Sequence, residues 1–159
     1  VDSSHRMAER AVRDNVWDVI MVGFNLLNPC ARRNIFSLTA VNGVGVLVSY
    51  ALRRALSQPE RLRKLCAELV GNGAIPAGTL NLAEPLDFVS QGGAAVSIQD
   101  AAYRFCRYEP GVDVVLTGTG NPQHLKANVE SLARPPLPAL VQQRLKELFG
   151  NIDGLTGNQ

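Results

Sequence analysis

Residues 112–128, VDVVLTGTGNPQHLKAN, hold the residue types best suited to chemistry in this chain. Gly118 and Gly120 flank Thr119 in a short turn where the backbone could approach a ligand that a side chain would block. Asn121 is a preferred helix N-cap and Pro122 suits the first helical position. Ahead of them, Val112, Val114, Val115 and Leu116 form a β-branched and apolar run, the pattern of a strand buried on both faces. Strand, glycine turn and helix start would gather free N–H groups near Gly118, Thr119 and Gly120 at the positive end of a helix dipole, a site for phosphate. The Thr119 hydroxyl adds a donor. The same pattern fits a βα turn that uses glycine for its geometry alone, and the motif by itself leaves both readings open.

Other reactive residue types are sparse. Cys30, Cys66 and Cys106 are odd in number and lack metal-ligand spacing. Cys66 and Cys106 fall on apolar helix faces, so buried, reduced thiols in a cytoplasmic protein are the expectation. His5 reads as a helix-surface residue without a role. Tyr103 and Tyr108 lie on an amphipathic helix before the last strand, away from the expected ligand face. Gly43 and Gly45 form a GxG that precedes its strand, whereas a Rossmann fingerprint follows one, so that motif is excluded. The net charge is +2 and the arginines are scattered without interleaved aromatics, which argues against nucleic acid and membrane partners. No apolar run reaches the length of a membrane span. No leader pattern is present, although the first residue is Val rather than Met.

The elements that must position these groups follow from periodicity. Ser3 or Ser4 caps a first helix with Met7, Ala8, Ala11 and Val12 at helical spacing. Residues 18–24 read as a strand, broken at residues 25–29. Residues 32–41 read as a helix that stops at Asn42-Gly43. Residues 45–50 form the middle strand. Ser57-Gln58-Pro59-Glu60 has capping-box spacing and opens a helix with Leu62, Leu65, Cys66, Leu69 and Val70 on one stripe. Residues 71–93 are a Gly-, Pro- and Asn-rich excursion of a length that is often functional. Ser97 and Asp100 open another helix with Ile98, Ala101, Ala102, Phe105 and Cys106 inward. A last amphipathic helix, with Leu140, Val141, Leu145, Leu148 and Phe149 on one face, follows the rigid connector at residues 135–138. Residues 1–150 then form the folded domain and residues 151–159 a frayed tail.

Strands separated by helices imply an α/β fold with a parallel sheet and right-handed crossovers. The 159 residues suffice for one domain with a real core. Three strands cannot close a barrel, which needs about eight.

The segment YRFCRYEPGVDVVLTGTGNPQHLKANVESL resembles the last strand and helix of aldo-keto reductases, closest to the branch with L-galactose dehydrogenase-like enzymes. The likeness runs from about residue 4 to the C-terminus and covers the second half of that family's (β/α)8 TIM barrel. It implies a parallel-stranded C-terminal half-barrel of about three strands and five to six helices.

The resemblance also implies a nicotinamide cofactor, NAD or NADP, and site residues to hold it. Gly118, Thr119 and Gly120 match the loop that grips the phosphates, and Asn128 matches an Asn that reaches the adenine. His124 stands where many NADPH-preferring members carry an Arg; a neutral imidazole is a poor substitute for that fork-shaped cation, which leans toward NAD. Tyr50 matches an aromatic that stacks on the nicotinamide, and Ala51 and Arg53 follow it where the family's Ser-Pro-Leu would stand. The Ala51 backbone could touch the pyrophosphate and Arg53 or Arg54 could neutralise it. Asn25 matches a family Asn after an aromatic, here Phe24, although a loop Asn that bonds its own backbone is equally consistent. Met21 replaces a Gln that bonds the nicotinamide carboxamide, and a thioether cannot donate that bond.

The Tyr, Lys, Asp and His of the family's catalytic machinery lie on the first half of the barrel, so no catalytic residue is assigned here. The implied activity is oxidation or reduction of a carbonyl or sugar alcohol, with this chain supplying cofactor binding. A missing N-terminal half-barrel or self-association would cover its open face. The alternative is a non-catalytic nucleotide-binding or oligomerisation module derived from the same fold.

Overall fold

The computed structural model describes residues 5–152 and Leu155. The expected Ser3 or Ser4 cap lies outside the described residues. Strands β1 (Val19–Gly23), β2 (Gly45–Ser49) and β3 (Val114–Val115) form one parallel sheet in the order β1-β2-β3. Eight helices surround it among the described residues: α1 (Arg6–Asp14), α2 (Ala31–Asn34), α3 (Phe36–Asn42), α4 (Arg54–Ser57), α5 (Pro59–Gly71), α6 (Ile98–Arg107), α7 (Pro122–Ala133) and α8 (Ala139–Phe149). This is the α/β arrangement of part of a (β/α)8 barrel, with more helices than the five to six expected. Two local breaks account for the excess. Ile35, at φ −110°, divides the expected helix over 32–41 into α2 and α3. Gln58 turns extended between α4 and α5, and Pro59 starts the latter. Ser57 is therefore not the cap; its hydroxyl donates to the Arg54 carbonyl at 3.0 Å.

Register sorts the side chains between two faces. Val22, Val48 and Val115 stand opposite one another across the sheet and point toward the helices. Met21, Leu47 and Val114 form the neighbouring row on the other face, where Met21 is 58% and Val114 45% exposed. The last strand is thus not buried on both faces, as its composition suggested. An apolar run records that a strand can be covered, not that a layer is present to cover it.

Against the covered face, Phe24 stacks on Phe105 with ring centroids 5.4 Å apart and meets Phe36 edge-on at 5.1 Å. The excursion at residues 71–93 buries Ile75, Leu80, Leu86, Phe88 and Val89 in the same core. Met7 of α1 and Leu140 of α8, both expected inward, are exposed; Val12 and the Leu145, Leu148, Phe149 group carry the contacts instead. Beyond α8, Ile152 is buried and the Leu155 carbonyl accepts a hydrogen bond from Asn28 Nδ2 at 3.1 Å. Residues 153, 154 and 156–159 of the expected tail lie outside the described residues. Two glycines are required by the chain itself: Gly43 ends α3 at φ 67°, and Gly111, at φ 88°, would place a Cβ 2.8 Å from that of Phe36.

A buried carboxylate ties the later helices together. Ser97 caps α6 as expected, accepting from the Asp100 N–H at 3.1 Å. The Asp100 carboxylate accepts from Arg104 Nη1 at 3.0 Å, Arg134 Nη1 at 2.8 Å and the Val96 N–H at 3.2 Å. Arg104 also donates to the carbonyls of Ala94, Pro135 and Pro136. Burial alone would push the Asp100 carboxyl up; hydrogen bonds from Arg134, Arg104, the Val96 N–H and Ser131 outweigh it and hold the group below its ordinary value.

Asp100→Ala is expected to cost about 3 kcal/mol in urea unfolding at pH 7, because two guanidinium groups lose their acceptor. The folded-state pKa is depressed, so this stabilisation is present above the unfolded value of about 3.9 and lost as pH falls through the folded value. The gap between native and variant chains should narrow below about pH 4.

Candidate functional site

A cavity of about 850 Å³ opens at the C-terminal ends of β2 and β3, beside the start of α7. Tyr50 and Ala51 form the wall after β2, Thr117 to Thr119 the wall after β3, and His124 and Asn128 of α7 close it. Tyr50, Ala51, Gly118, Thr119, His124 and Asn128 are therefore brought together from segments far apart in the sequence. Gly120 sits in the same turn but does not line the cavity.

The glycines of this turn differ from Gly43 and Gly111. Neither Gly118 nor Gly120 has a positive φ, and a Cβ built on either meets nothing within 4 Å. The chain's own geometry does not demand glycine at these two positions. The backbone N–H groups of Gly118, Thr119 and Gly120 have no hydrogen-bond partner among the described residues. Thr119 Oγ1 accepts from the Asn121 N–H at 3.2 Å, which leaves its own proton to donate. Asn121 caps α7 through Gln123 N at 2.9 Å, and Pro122 follows at the first turn. Unbonded donors, an open turn and the N-terminal end of a twelve-residue helix thus converge on one wall.

Across the cavity, Tyr50 adopts φ 60°, a left-handed conformation that bulky residues rarely occupy and that costs about 1–3 kcal/mol. Its ring lies over the end of β1, with Cδ2 3.7 Å from where a Cβ on Gly23 would stand. Arg53, two residues after Ala51, is only 2% exposed, does not line the cavity, and has no partner for Nε or Nη2. Burial lowers its pKa, the expected response of a cation removed from water without a counter-charge. Asn25 also lies outside the cavity lining. Its Oδ1 accepts from the N–H groups of Leu27 and Asn28 at 3.0 Å each, the loop-bonding alternative stated above.

Sequence reasoning missed Tyr103 and Gln99, both of which line the cavity. Asn128 Nδ2 donates to Thr117 Oγ1 at 2.7 Å, and the Tyr103 hydroxyl lies 2.9 Å from the same oxygen. Tyr103, expected away from the ligand face, lines the cavity with Gln99, one helical turn earlier on α6. That i, i+4 pair of polar-tipped residues was the available signal. Tyr108 is turned elsewhere, donating to the Arg134 carbonyl at 2.8 Å.

A second cavity of about 700 Å³ lies between α3, α6 and α8. Two of its cations are satisfied: Arg32 makes a two-point pair with Glu109, and Arg104 has four acceptors, while Lys146 also lines it.

Residues 3–149 match the aldo/keto reductase family, and the chain belongs to it. No curated protein matches the sequence. Among solved structures, the chain is similar to aldo-keto reductase AKR11C1 from Bacillus halodurans in its apo form, with a TM-score of 0.56 and 19% identity. The match covers 90% of this chain and 47% of that one. The holo form of the same enzyme matches equally well, over 46% of its length. The chain thus spans about half the length of these solved structures. The likeness to the L-galactose dehydrogenase-like branch is not among these matches. No described helix is long and apolar enough to cross a membrane.

Thr117→Val should remove the oxygen shared by Tyr103 and Asn128 and cost roughly 1–3 kcal/mol, whereas Tyr103→Phe should cost about 1 kcal/mol. Urea titrations of both variants check this order.

Proposed function

We propose that this chain is the dinucleotide-binding part of a nicotinamide-dependent oxidoreductase acting on a carbonyl or sugar alcohol. The observation that carries the reading is the turn at Gly118 to Gly120, where three N–H groups have no partner among the described residues and a Cβ on either glycine would meet nothing within 4 Å. These donors, with the Thr119 hydroxyl and the dipole of α7, suit pyrophosphate oxygens. Arg53 follows the wall residue Leu52; its guanidinium, buried with two unpartnered nitrogens, would have to turn toward the cavity to meet a pyrophosphate. Tyr50 offers a ring face for the nicotinamide, whereas Asn25, buried outside the cavity lining and bonded to its own loop, is given no contact. Asn128 keeps its carboxamide oxygen for an adenine amine. His124 supplies no guanidinium, which favours NAD over NADP. The bound cofactor would supply hydride transfer; the chain's own residues hold and orient it. The proton chemistry belongs to an Asp, Tyr, Lys and His outside this chain.

Gly118→Ala tests the reading cleanly, because a Cβ there meets no protein atom within 4 Å. Calorimetry with NADH and NADPH is expected to show binding to the native chain and a loss of about tenfold or more in the variant, with an unchanged melting temperature. Trp17 precedes β1 at the opposite end of the sheet, so its fluorescence is the poorer probe. Absence of binding by the native chain would overturn the reading.

The second reading, a non-catalytic nucleotide-binding or oligomerisation module, draws on the uncovered row of Met21, Leu47 and Val114. In either case an N-terminal half-barrel or a second copy is the natural cover for that face. Sedimentation of the isolated chain should show a non-monomer, and Met21→Lys should shift it toward monomer. A cooperative, stable monomer would count against such a cover.

A further inference from the structure

Two carboxamide side chains line the cavity beside the glycine turn, Gln99 of α6 and Asn128 of α7. Both are anchored through nitrogen. Gln99 Nε2 donates to the Leu56 carbonyl at 3.2 Å, and that carbonyl can only accept, so the amide cannot turn over without losing the bond. Asn128 Nδ2 donates to Thr117 Oγ1 at 2.7 Å. Neither carboxamide oxygen has a partner among the described residues. Among those residues only Arg53 fully encloses unpartnered side-chain atoms, so both oxygens stay open, and the space they line is the cavity.

Thr117 sits between Asn128 and a second buried group. Its hydroxyl oxygen receives the Asn128 hydrogen and lies 2.9 Å from the hydroxyl of Tyr103. Asn128 is 8% and Tyr103 3% exposed, so neither swings freely. The two hydroxyl groups bring two protons. One fills the bond between them and the other is left over. Thr117 and Tyr103 both line the cavity, which places a donor beside the open oxygen of Asn128.

We propose that Thr117, braced by Tyr103, is a specificity-determining positioning residue: it holds the Asn128 carboxamide oxygen-outward, so that the site takes a dinucleotide whose base carries an amine, adenine, and rejects the oxo counterpart, hypoxanthine. The proposal rests on the dinucleotide reading given above. An amine N–H meets the Asn128 oxygen as a donor. An oxo group in its place sets acceptor against acceptor, with no hydrogen between them. Valine at position 117 keeps the outline of threonine and removes the acceptor. The Asn128 carboxamide is then free to turn over and offer its NH2 to the oxo group instead.

The test is calorimetry on the 159-residue chain with NADH and with deamino-NADH, its hypoxanthine analogue. The native chain is expected to bind NADH roughly tenfold more tightly. In Thr117→Val the preference should fall to about twofold or less, whereas Thr117→Ser, which keeps the hydroxyl, should retain it. Gly118→Ala should weaken both ligands by one factor, because it acts at the phosphates. A general disturbance of the fold also weakens both together, so only the ratio reports the orientation of Asn128. Equal binding of the two ligands by the native chain, or a preference for the analogue, overturns the proposal and leaves the dinucleotide reading standing. A folded Thr117→Val chain with the native preference, or a Thr117→Ser chain without it, does the same. A native chain that binds neither ligand overturns the dinucleotide reading and this proposal with it.

Discussion

The later half of this fold depends on one buried charge, the Asp100 carboxylate. A bare carboxylate in that position would be intolerable; two guanidinium groups and a backbone N–H make it an anchor. Through Arg104 it fixes α6 to the chain at residues 94–96 and 135–136, and through Arg134 it fixes the end of α7. Tyr103 and Asn128 are carried by those same two helices and converge on Thr117. The cavity wall is thus set by an ion cluster that does not itself face the cavity. Arg53 is the counter-example: equally buried, yet without an acceptor for two of its nitrogens. The cations around Asp100 are satisfied, and Arg53, one residue past the cavity-lining Leu52, is not.

Much of this organisation was legible in the sequence. The strand, glycine turn and capped helix at residues 112–128 stand where pattern and N-cap chemistry put them, because each depends on neighbours a few residues away. What the sequence left hidden was long-range. His5, expected on a helix surface, is buried against Cys30, 25 positions away, and Tyr103 and Thr117 are 14 apart, so no local period links them. The excursion at residues 71–93 has a length that is often functional. Its five buried apolar residues, spread without helical or strand spacing, instead make it part of the core, and none lines the glycine-turn cavity. The open face of the sheet followed from counting three strands, whereas the last strand's apolar composition alone pointed to burial on both faces, since hydrophobic residues look alike whether or not something packs on them.

Glycine separates structural from functional constraint in this molecule. Gly43 and Gly111 answer to the backbone: one ends a helix in a left-handed conformation, and the other has no room for a Cβ beside Phe36. Gly118 and Gly120 answer to neither demand. The contrast sharpens a weak motif: neither positive φ nor a clash with the rest of the chain requires glycine at these two positions.

The two borders of the sheet are unequal. β1 is paired with β2 along all five of its residues and offers a straight outer rim of the same length, whereas β3 is paired over only two. An incoming strand would find a long template on one side and a stub on the other. The two edges therefore differ in how much unpaired backbone they present, five residues of strand on one side and two on the other.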